Sequence, residues 1–247
     1  MKALAYLKGK SLPEEFDPQT ENPGASANEF DILVSGDVYG VALNDRLFLD
    51  KNESTFNEKP YNQPPTAPVL YIKPKNTWAP HQTTVALPPD EECVQTGATI
   101  GVVFSDTVSS ASYQQSKSAI KGLTLVNDLQ LPHESVYRPA IKERARDQFC
   151  PMGPWLTIDA LLEDNLATTT LETYINGELA HSFSLERLYR PLPQLISEIS
   201  QFITFTKGDM LLVGSAHDAP LAKAGDHVTI KADTLGELQT TFSQAEN

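Results

Sequence analysis

Between Val126 and Trp155 the chain reads VNDLQLPHESVYRPAIKERARDQFCPMGPW, and residues able to do chemistry concentrate there. Arg138, Lys142, Arg144 and Arg146 put four cations into nine residues of a protein with 19 basic against 32 acidic side chains. Such a local reversal of sign points to an anionic ligand, since guanidinium groups match carboxylates bidentately. Asn127-Asp128 follows an apolar run and Cys150-Pro151-Met152-Gly153-Pro154 precedes Trp155; both read as loop ends that deliver groups to a pocket. Upstream, Lys73-Pro74-Lys75 closes the apolar run from Val69 to Ile72 and places two more cations at the mouth of a strand. The competing reading of all these cations is ion pairing with acids such as Glu143 and Asp147. Of five histidines, His133 alone lies in the stretch and is the one to test as an acid or base; His81, His181, His217 and His227 are scattered without metal spacing. Cys150, beside Phe149, reads as a packed thiol rather than a nucleophile.

Composition narrows the classes. A formal charge of −13 and a pI near 4.7 argue against nucleic acid, which needs a basic face. No run approaches the roughly 18 apolar residues of a membrane helix, and the first ten residues, MKALAYLKGK, lack the apolar middle of a secretory signal, so the expected address is cytoplasmic, away from membranes. Cys93 and Cys150 form neither a disulfide framework nor a spaced zinc pair.

The elements that must position the charged stretch are short strands. Val38–Leu43, Val69–Ile72, Val85–Leu87, Leu123–Val126, Leu171–Ile175, Met210–Val213 and Val228–Ala232 have strand character, and Ala98–Phe104 is apolar enough to be buried on both faces. Asn176-Gly177 predicts a hairpin with a type I′ turn. Leu192, Leu195, Ile196, Ile199, Phe202 and Ile203 recur at helical spacing behind Pro191, and Ser110–Ile120 has the composition of a short helix. Lys8–Glu29 reads as a mobile leader or long loop, and Lys51–Pro68 as a loop. The expected fold class is α+β, mostly β, divided into a leader over 1–36, a strand and loop over 37–68, and a core over 69–247.

The order of motifs resembles the fumarylacetoacetate hydrolase family. The resemblance rests on Lys73-Pro74 after a strand, Asn127-Asp128, Asp147 to Pro154 ending in Pro-x-Gly-Pro, and Asn176-Gly177-Glu178. Gly208-Asp209 with Gly214, Gly225-Asp226 and Leu235-Gly236 complete it. VYGVALNDR, IKPKNT, NDLQLPHESVYRPAIK and RDQFCPMG are similar to the N-terminal half of the family's isomerase/decarboxylase branch in 4-hydroxyphenylacetate (homoprotocatechuate) catabolism. The resemblance implies a mixed β-sandwich roll. It also implies oxo-dicarboxylate or tricarboxylate substrates, namely 5-oxopent-3-ene-1,2,5-tricarboxylate and 2-hydroxyhepta-2,4-diene-1,7-dioate. Lys73, Arg138, Lys142 and Arg144 would bind substrate, in a homodimer or a heteromer with a metal-binding paralogue.

The family holds Mg2+ or Mn2+ with a Glu-x-Glu on one strand plus an Asp. Here Gly97 and Thr99 stand where the two glutamates belong, only Asp128 is retained, and no metal is expected on this chain alone. The family's catalytic histidine and glutamate sit shortly after the first strand, but Asn44–Lys51 contains no histidine and shows Phe48 near the expected place, so the general base is missing. Its active-site lysine corresponds to Arg144, which cannot shuttle a proton at neutral pH, and its Gly-Thr-Pro loop has become Gly214-Ser215-Ala216. Three readings follow: a subunit whose metal-bearing partner is a paralogue, a non-catalytic structural or ligand-binding partner, or a metal-independent isomerase working through arginine-stabilised enolates.

Overall fold

Ala98–Phe104 (β8) is buried at all seven positions, as its nearly continuous apolar run predicts, and it lies in the middle of the main sheet. The computed structural model describes residues 2–21, 29–60, 62–133, 140–158 and 166–245. Among these, the main sheet comprises β1 (Ala3–Ala5), β2 (Glu14–Phe16), β3 (Val38–Ala42), β4 (Val69–Lys73), β5 (Trp78–Pro80), β8, β9 (Ile120–Asn127), β10 (Cys150–Thr157) and β13 (Met210–Leu212). Their order is β2-β1-β10-β9-β8-β13-β3-β4, with β5 alongside β10. A second sheet holds β6 (Thr83–Leu87), β11 (Thr170–Ile175), β12 (Glu178–Ser184), β15 (His227–Ala232) and β16 (Gly236–Gln244) in the order β12-β11-β15-β16-β6. A small ladder pairs β7 (Val94–Gln95) with β14 (Leu221–Ala222).

The period of two along each strand divides the main sheet between two cores. Ile100 and Val102 of β8, Leu123 and Leu125 of β9 and Leu211 of β13 pack in one cluster with Leu171, Ile230 and Phe242 of the second sheet. Val103, Val126, Met210 and Leu212 point the other way, into a cluster completed by Leu33, Val34, Met152 and Leu156. The mixed, mostly β sandwich expected from the sequence is therefore observed.

Local chemistry explains the connections. Asn176 and Gly177 both have positive φ, 53° and 87°, as a type I′ turn needs, and β11 and β12 pair on either side. Leu192, Leu195, Ile196 and Ile199 are the buried face of a helix that runs Leu192–Ile199 and stops short of the exposed Phe202. In the Ser110–Ile120 region Ser112 caps a single helical turn, Tyr113–Ser116, through a capping box with Gln115.

Four expectations are corrected. The 1–36 segment is not a free leader over its described part: β1 pairs with β10, and Phe16, Phe30, Leu33 and Val34 are buried. Its apolar residues are sparse, but Phe16, Phe30, Leu33 and Val34 are used in tertiary contacts, which composition does not register. Positions 37–68 and 69–247 are not separate units, because β3 lies between β4 and β13 in one sheet. Lys51–Pro68 is not plain loop either: α1 (Arg46–Lys51) begins just before it and α2 (Glu53–Asn57) lies within it, with Phe56 buried. Cys150–Pro154, expected as a loop end, opens β10. Among the described residues no helix is long and apolar enough to cross a membrane.

The start of the β3/β13 pair is held by Asp209, which is 3% exposed. Its Oδ1 accepts from the Asp37 amide at 2.7 Å and its Oδ2 from the Thr206 amide at 2.7 Å and hydroxyl at 3.1 Å. Gly36 is required beside it, since a Cβ there would stand 2.1 Å from Oδ1. Asp209→Ala is expected to lower the unfolding free energy by roughly 2–3 kcal/mol in urea titrations, from lost charge-assisted bonds and orphaned amides; a change below about 0.5 kcal/mol would mean that these bonds do not hold the junction.

Candidate functional site

β9 ends at Asn127, and the chain then turns through a fixed corner. The Asn127 side-chain oxygen accepts from the Gly97 amide at 3.0 Å, and the Asp128 amide donates to the Gly97 carbonyl at 2.8 Å. Asp128 is thereby carried into the interior, where it is 2% exposed. Its Oδ1 meets the Lys73 ammonium at 2.8 Å and its Oδ2 meets Arg144 Nη1 at 3.1 Å and the Tyr71 hydroxyl. Lys73 is wholly buried, and its Nζ donates to the carbonyls of Leu129 at 2.7 Å, Phe149 at 2.9 Å and Arg144 at 3.2 Å. Those three bonds use its three protons, so Oδ1 is held by the ammonium's charge rather than by a directed hydrogen bond.

Tyr71 and Lys73 are two residues apart on β4 and therefore share a face. Tyr71 lies under the Arg144 guanidinium, 4.3 Å from the ring centroid, and Arg144 comes from the last turn of α4 (Ile141–Arg144). Gly40, opposite Tyr71 in the β3/β4 register, makes room for the ring: a Cβ at Gly40 would stand 2.1 Å from Tyr71 Cζ. Burial alone would raise the Asp128 carboxyl, but Lys73 and Arg144 outweigh it and hold the group below the usual carboxylate range. Burial, and then the Asp128 charge, push the Tyr71 phenol well up, so it stays a neutral donor. Burial also pushes the Cys150 thiol up to about 12, which leaves it inert at neutral pH.

Above this cluster opens a cavity of about 440 Å³ lined by Asn44, Tyr71, Gln95, Gln130, Arg144 and His217 among others. Its far wall is Phe48 of α1 with the His217 ring against it, centroids 3.8 Å apart. His217 donates its amide to Asp45 Oδ2 at 2.9 Å, and Asp45 caps α1 through Leu47. Arg187 grips both oxygens of Asp45 at 2.6 Å and reaches Asp218 at 2.6 Å. Partial burial, with smaller contributions from His133 and Lys51, lowers the His217 imidazole against the pull of Asp45 and Asp218.

The structure brings Lys73 and Arg144 together on Asp128 and leaves Lys142 apart from them. Lys73 is enclosed and does not line the cavity, whereas Arg144 does. Lys142 is exposed on α4, where its carbonyl accepts from Arg146 Nε at 2.9 Å, and Arg138 lies outside the described residues. His133 lines the cavity with a ring nitrogen 3.4 Å from Gln130 Oε1. The Asp45–Arg187–Asp218 network and His217 were missed. Their clue was the pair of motifs Asn44-Asp45-Arg46 and Ala216-His217-Asp218, far apart in sequence and joined only by the fold.

Residues 37–243 match the family model described as fumarylacetoacetate (FAA) hydrolase C-terminal. The chain belongs to the fumarylacetoacetate hydrolase family. It is 38% identical over 206 residues to the 4-hydroxyphenylacetate degradation bifunctional isomerase/decarboxylase of Salmonella dublin; the match covers 83% of this chain and 47% of that protein, so the chain spans about half the length of this curated relative. In fold this family member is similar to the 2-hydroxyhepta-2,4-diene-1,7-dioate isomerase of Mycobacterium marinum, with a TM-score of 0.77, 19% identity and all of both chains covered. It is also similar to the maleylpyruvate hydrolase of Sphingobium sp. SYK-6, solved with manganese(II) ion and pyruvate, with a TM-score of 0.69, 18% identity and coverage of 95% of this chain and 78% of that one.

The donors around Asp128 do not fit the divalent ion that family members hold. Its carboxylate already carries two fixed cations. A side chain at Gly97 would bring its Cβ within 2.2 Å of the Asp128 carbonyl oxygen, and the buried Thr99 hydroxyl donates to the Gly214 carbonyl at 2.7 Å. Among the described residues no three His, Cys, Asp or Glu side chains gather where a metal could bind. A hard cation needs several oxygen ligands, and the seat offers one neutralised carboxylate.

The ion cluster has a pH signature. Because the folded Asp128 carboxyl is lowered, its contribution is fully present above the unfolded value, about pH 4, and is lost as pH falls through the folded value. Asp128→Asn is therefore expected to destabilise the protein by roughly 3–5 kcal/mol near neutral pH, by stranding a buried ammonium. The gap from wild type should narrow below about pH 4 in denaturant titrations. A gap that does not change with pH would mean that the carboxylate's charge is not what stabilises the site.

Proposed function

We propose that this chain is the N-terminal-type subunit of an isomerase/decarboxylase of 4-hydroxyphenylacetate (homoprotocatechuate) catabolism. In this reading it handles 5-oxopent-3-ene-1,2,5-tricarboxylate and 2-hydroxyhepta-2,4-diene-1,7-dioate alongside a metal-bearing paralogue. The observation that carries the reading is the Arg144 guanidinium on the wall of a cavity of about 440 Å³, in a chain 38% identical to an isomerase/decarboxylase of twice its span. Arg144 spends Nη1 on Asp128 and turns its remaining edge to the cavity, where it meets a substrate carboxylate as a fork. Two cations against one carboxylate leave the cluster positive, so Lys73 attracts the dianion by its field although its protons are engaged. Lys142, exposed on the same short helix, is the candidate for a second carboxylate, with Arg138 beside it in sequence.

Loss of carbon dioxide next to a ketone leaves an enolate that a divalent cation stabilises, and that chemistry belongs in this reading to the paralogue. The misfit of the Asp128 seat favours a second reading, a partner that binds ligand without turnover. Mixing experiments separate the two. Carbon dioxide release from the tricarboxylate should be absent with the chain alone and should rise when the paralogue, itself assayed alone, is supplemented with this chain; no rise would favour the second reading.

Two further outcomes are expected. Calorimetric titration with Mg2+ or Mn2+ should give no binding, and Gly97→Glu with Thr99→Glu should not create it, because the Asp128 backbone occupies the space of the new side chain. An octahedral site formed by the double variant would contradict this. Arg144→Gln should weaken binding of 2-oxopimelate, the saturated seven-carbon 2-oxo-dicarboxylate, by about tenfold to a hundredfold, the worth of one charged hydrogen-bonded pair; unchanged affinity would place the anion elsewhere.

A further inference from the structure

We propose that His217 is the acid–base residue of a metal-independent proton transfer in this cavity, the ketonisation of the 2-hydroxydienedioate. The inference rests on the substrate reading above and adds the group that moves the proton.

Position is the first argument. β13 ends at Leu212, and Gly214, with φ +108°, turns the chain against Asn44, so that the following residues line the cavity beside α1. The His217 ring then lies on Phe48, the residue near the place where the resemblance puts the family's catalytic histidine. An imidazole thus reaches that corner from a different loop. It sits exposed at the cavity mouth, and neither ring nitrogen is bonded to a described residue, so both are open to substrate and to solvent protons.

Restraint is the second argument. An exposed histidine on a surface loop is ordinarily free to wander, but here the backbone on both sides of the ring is fixed. The His217 amide is held by Asp45, its carbonyl accepts from Gln95 Nε2 at 2.8 Å, and Arg187 ties Asp45 to Asp218. Gln95 is itself oriented by Gln130 at 2.6 Å. Arg187, Asp45 and Gln95 are positioning residues. They fix where the imidazole stands without contacting the cavity's anion-binding arginine.

The chemistry balances without a co-reactant. The neutral imidazole takes the proton of the C2 hydroxyl as C2–O becomes a carbonyl, and the electron pair moves along the diene, converting the C2–C3 and C4–C5 double bonds into one between C3 and C4. C5 then receives a proton from the imidazolium, which returns to its starting state. The dienolate between the two steps is held by Arg144, with the neutral Tyr71 beside it. The imidazole's lowered value leaves it unprotonated at pH 7, ready to accept.

The test uses the full chain with EDTA present, following loss of the dienol absorbance of 2-hydroxyhepta-2,4-diene-1,7-dioate. Wild type is expected to accelerate ketonisation above the buffer rate, with kcat/KM falling on an acid limb below about pH 6.5. The groups facing His217 that shape this limb are Asp45, Asp218, His133 and Lys51, with Arg187 and His181 on Asp218. His217→Gln, at an exposed position, should keep the fold by circular dichroism, lower kcat by about a hundredfold to a thousandfold, leave KM within about twofold, and abolish the acid limb. Wild-type turnover in His217→Gln, or an acid limb that survives, overturns the assignment. If wild type binds 2-oxopimelate calorimetrically but gives no turnover in EDTA, the acid–base role falls while the substrate reading stands; if it neither binds nor turns over, both fall.

Discussion

A carboxylate 2% exposed is costly to bury, and the way this one is paired sets the architecture of the site. Asp128 draws one cation from β4, Lys73, and another from α4, Arg144, and takes the Tyr71 hydroxyl as well. Lys73 in turn gathers the carbonyls of Leu129, Arg144 and Phe149, three points on the segments after β9, at α4 and before β10. One ion pair therefore ties the edge strand of the main sheet to the irregular chain between β9 and β10. Remove either partner and the other is left charged without water. The cavity floor is rigid for that reason, and Arg144 presents its cation to the cavity from a fixed position.

How much of this was legible depends on whether a feature is local. Ala98–Phe104 announced its burial because a nearly continuous apolar run, interrupted by Thr99, fits a strand covered on both faces, and Asn176-Gly177 announced its turn because few residues accept two positive φ angles. The segment before Ser35 misled because Phe16 and Phe30 are far apart in polar sequence and are explained only by the tertiary contacts they make. α1 and α2 are too short to show a helical period, and α1 is set by a tertiary device, Asp45 capping it while held by Arg187 from 142 residues away. At the site, the cation-rich stretch supplies Gln130, His133 and Arg144 to the cavity wall but could not rank its members. Whether Lys73 faces ligand or protein depends on three carbonyls that composition does not place. His217 stood among histidines scattered without metal spacing, and nothing local told that its neighbours Asp45 and Gln95 would fix it.

With Gly97 and Thr99 where the family's glutamates stand, Asp128 is paired with Lys73 and Arg144 instead, and this changes what the centre can offer. A divalent ion with an open coordination position binds a substrate oxygen directly and stabilises charge on it. An ammonium whose three protons are spent on carbonyls has no such position, and contributes a field rather than a bond. Closure of the backbone on Gly97 makes the change difficult to reverse by side-chain substitution alone, since the Asp128 carbonyl fills the space the glutamate would need. In the proposed reading substrate contact passes instead to Arg144, whose charge is permanent and whose planar edge is suited to a carboxylate.

These constraints divide the two reactions unequally. Decarboxylation forms an enolate by breaking a carbon–carbon bond and gains most from a Lewis acid at the carbonyl. Ketonisation of a dienol starts from an oxygen–hydrogen bond and needs a base, a means of returning the proton to carbon, and a fixed positive charge for the dianion. A cavity with Arg144 on one side and a restrained imidazole on the other meets the second list and not the first. A two-part assembly in which one paralogue keeps the metal and the other keeps the proton transfer would explain why a family fold whose donors around Asp128 do not fit a divalent ion retains a cavity of about 440 Å³. A purely structural partner has no use for that space, and packing would be expected to fill it.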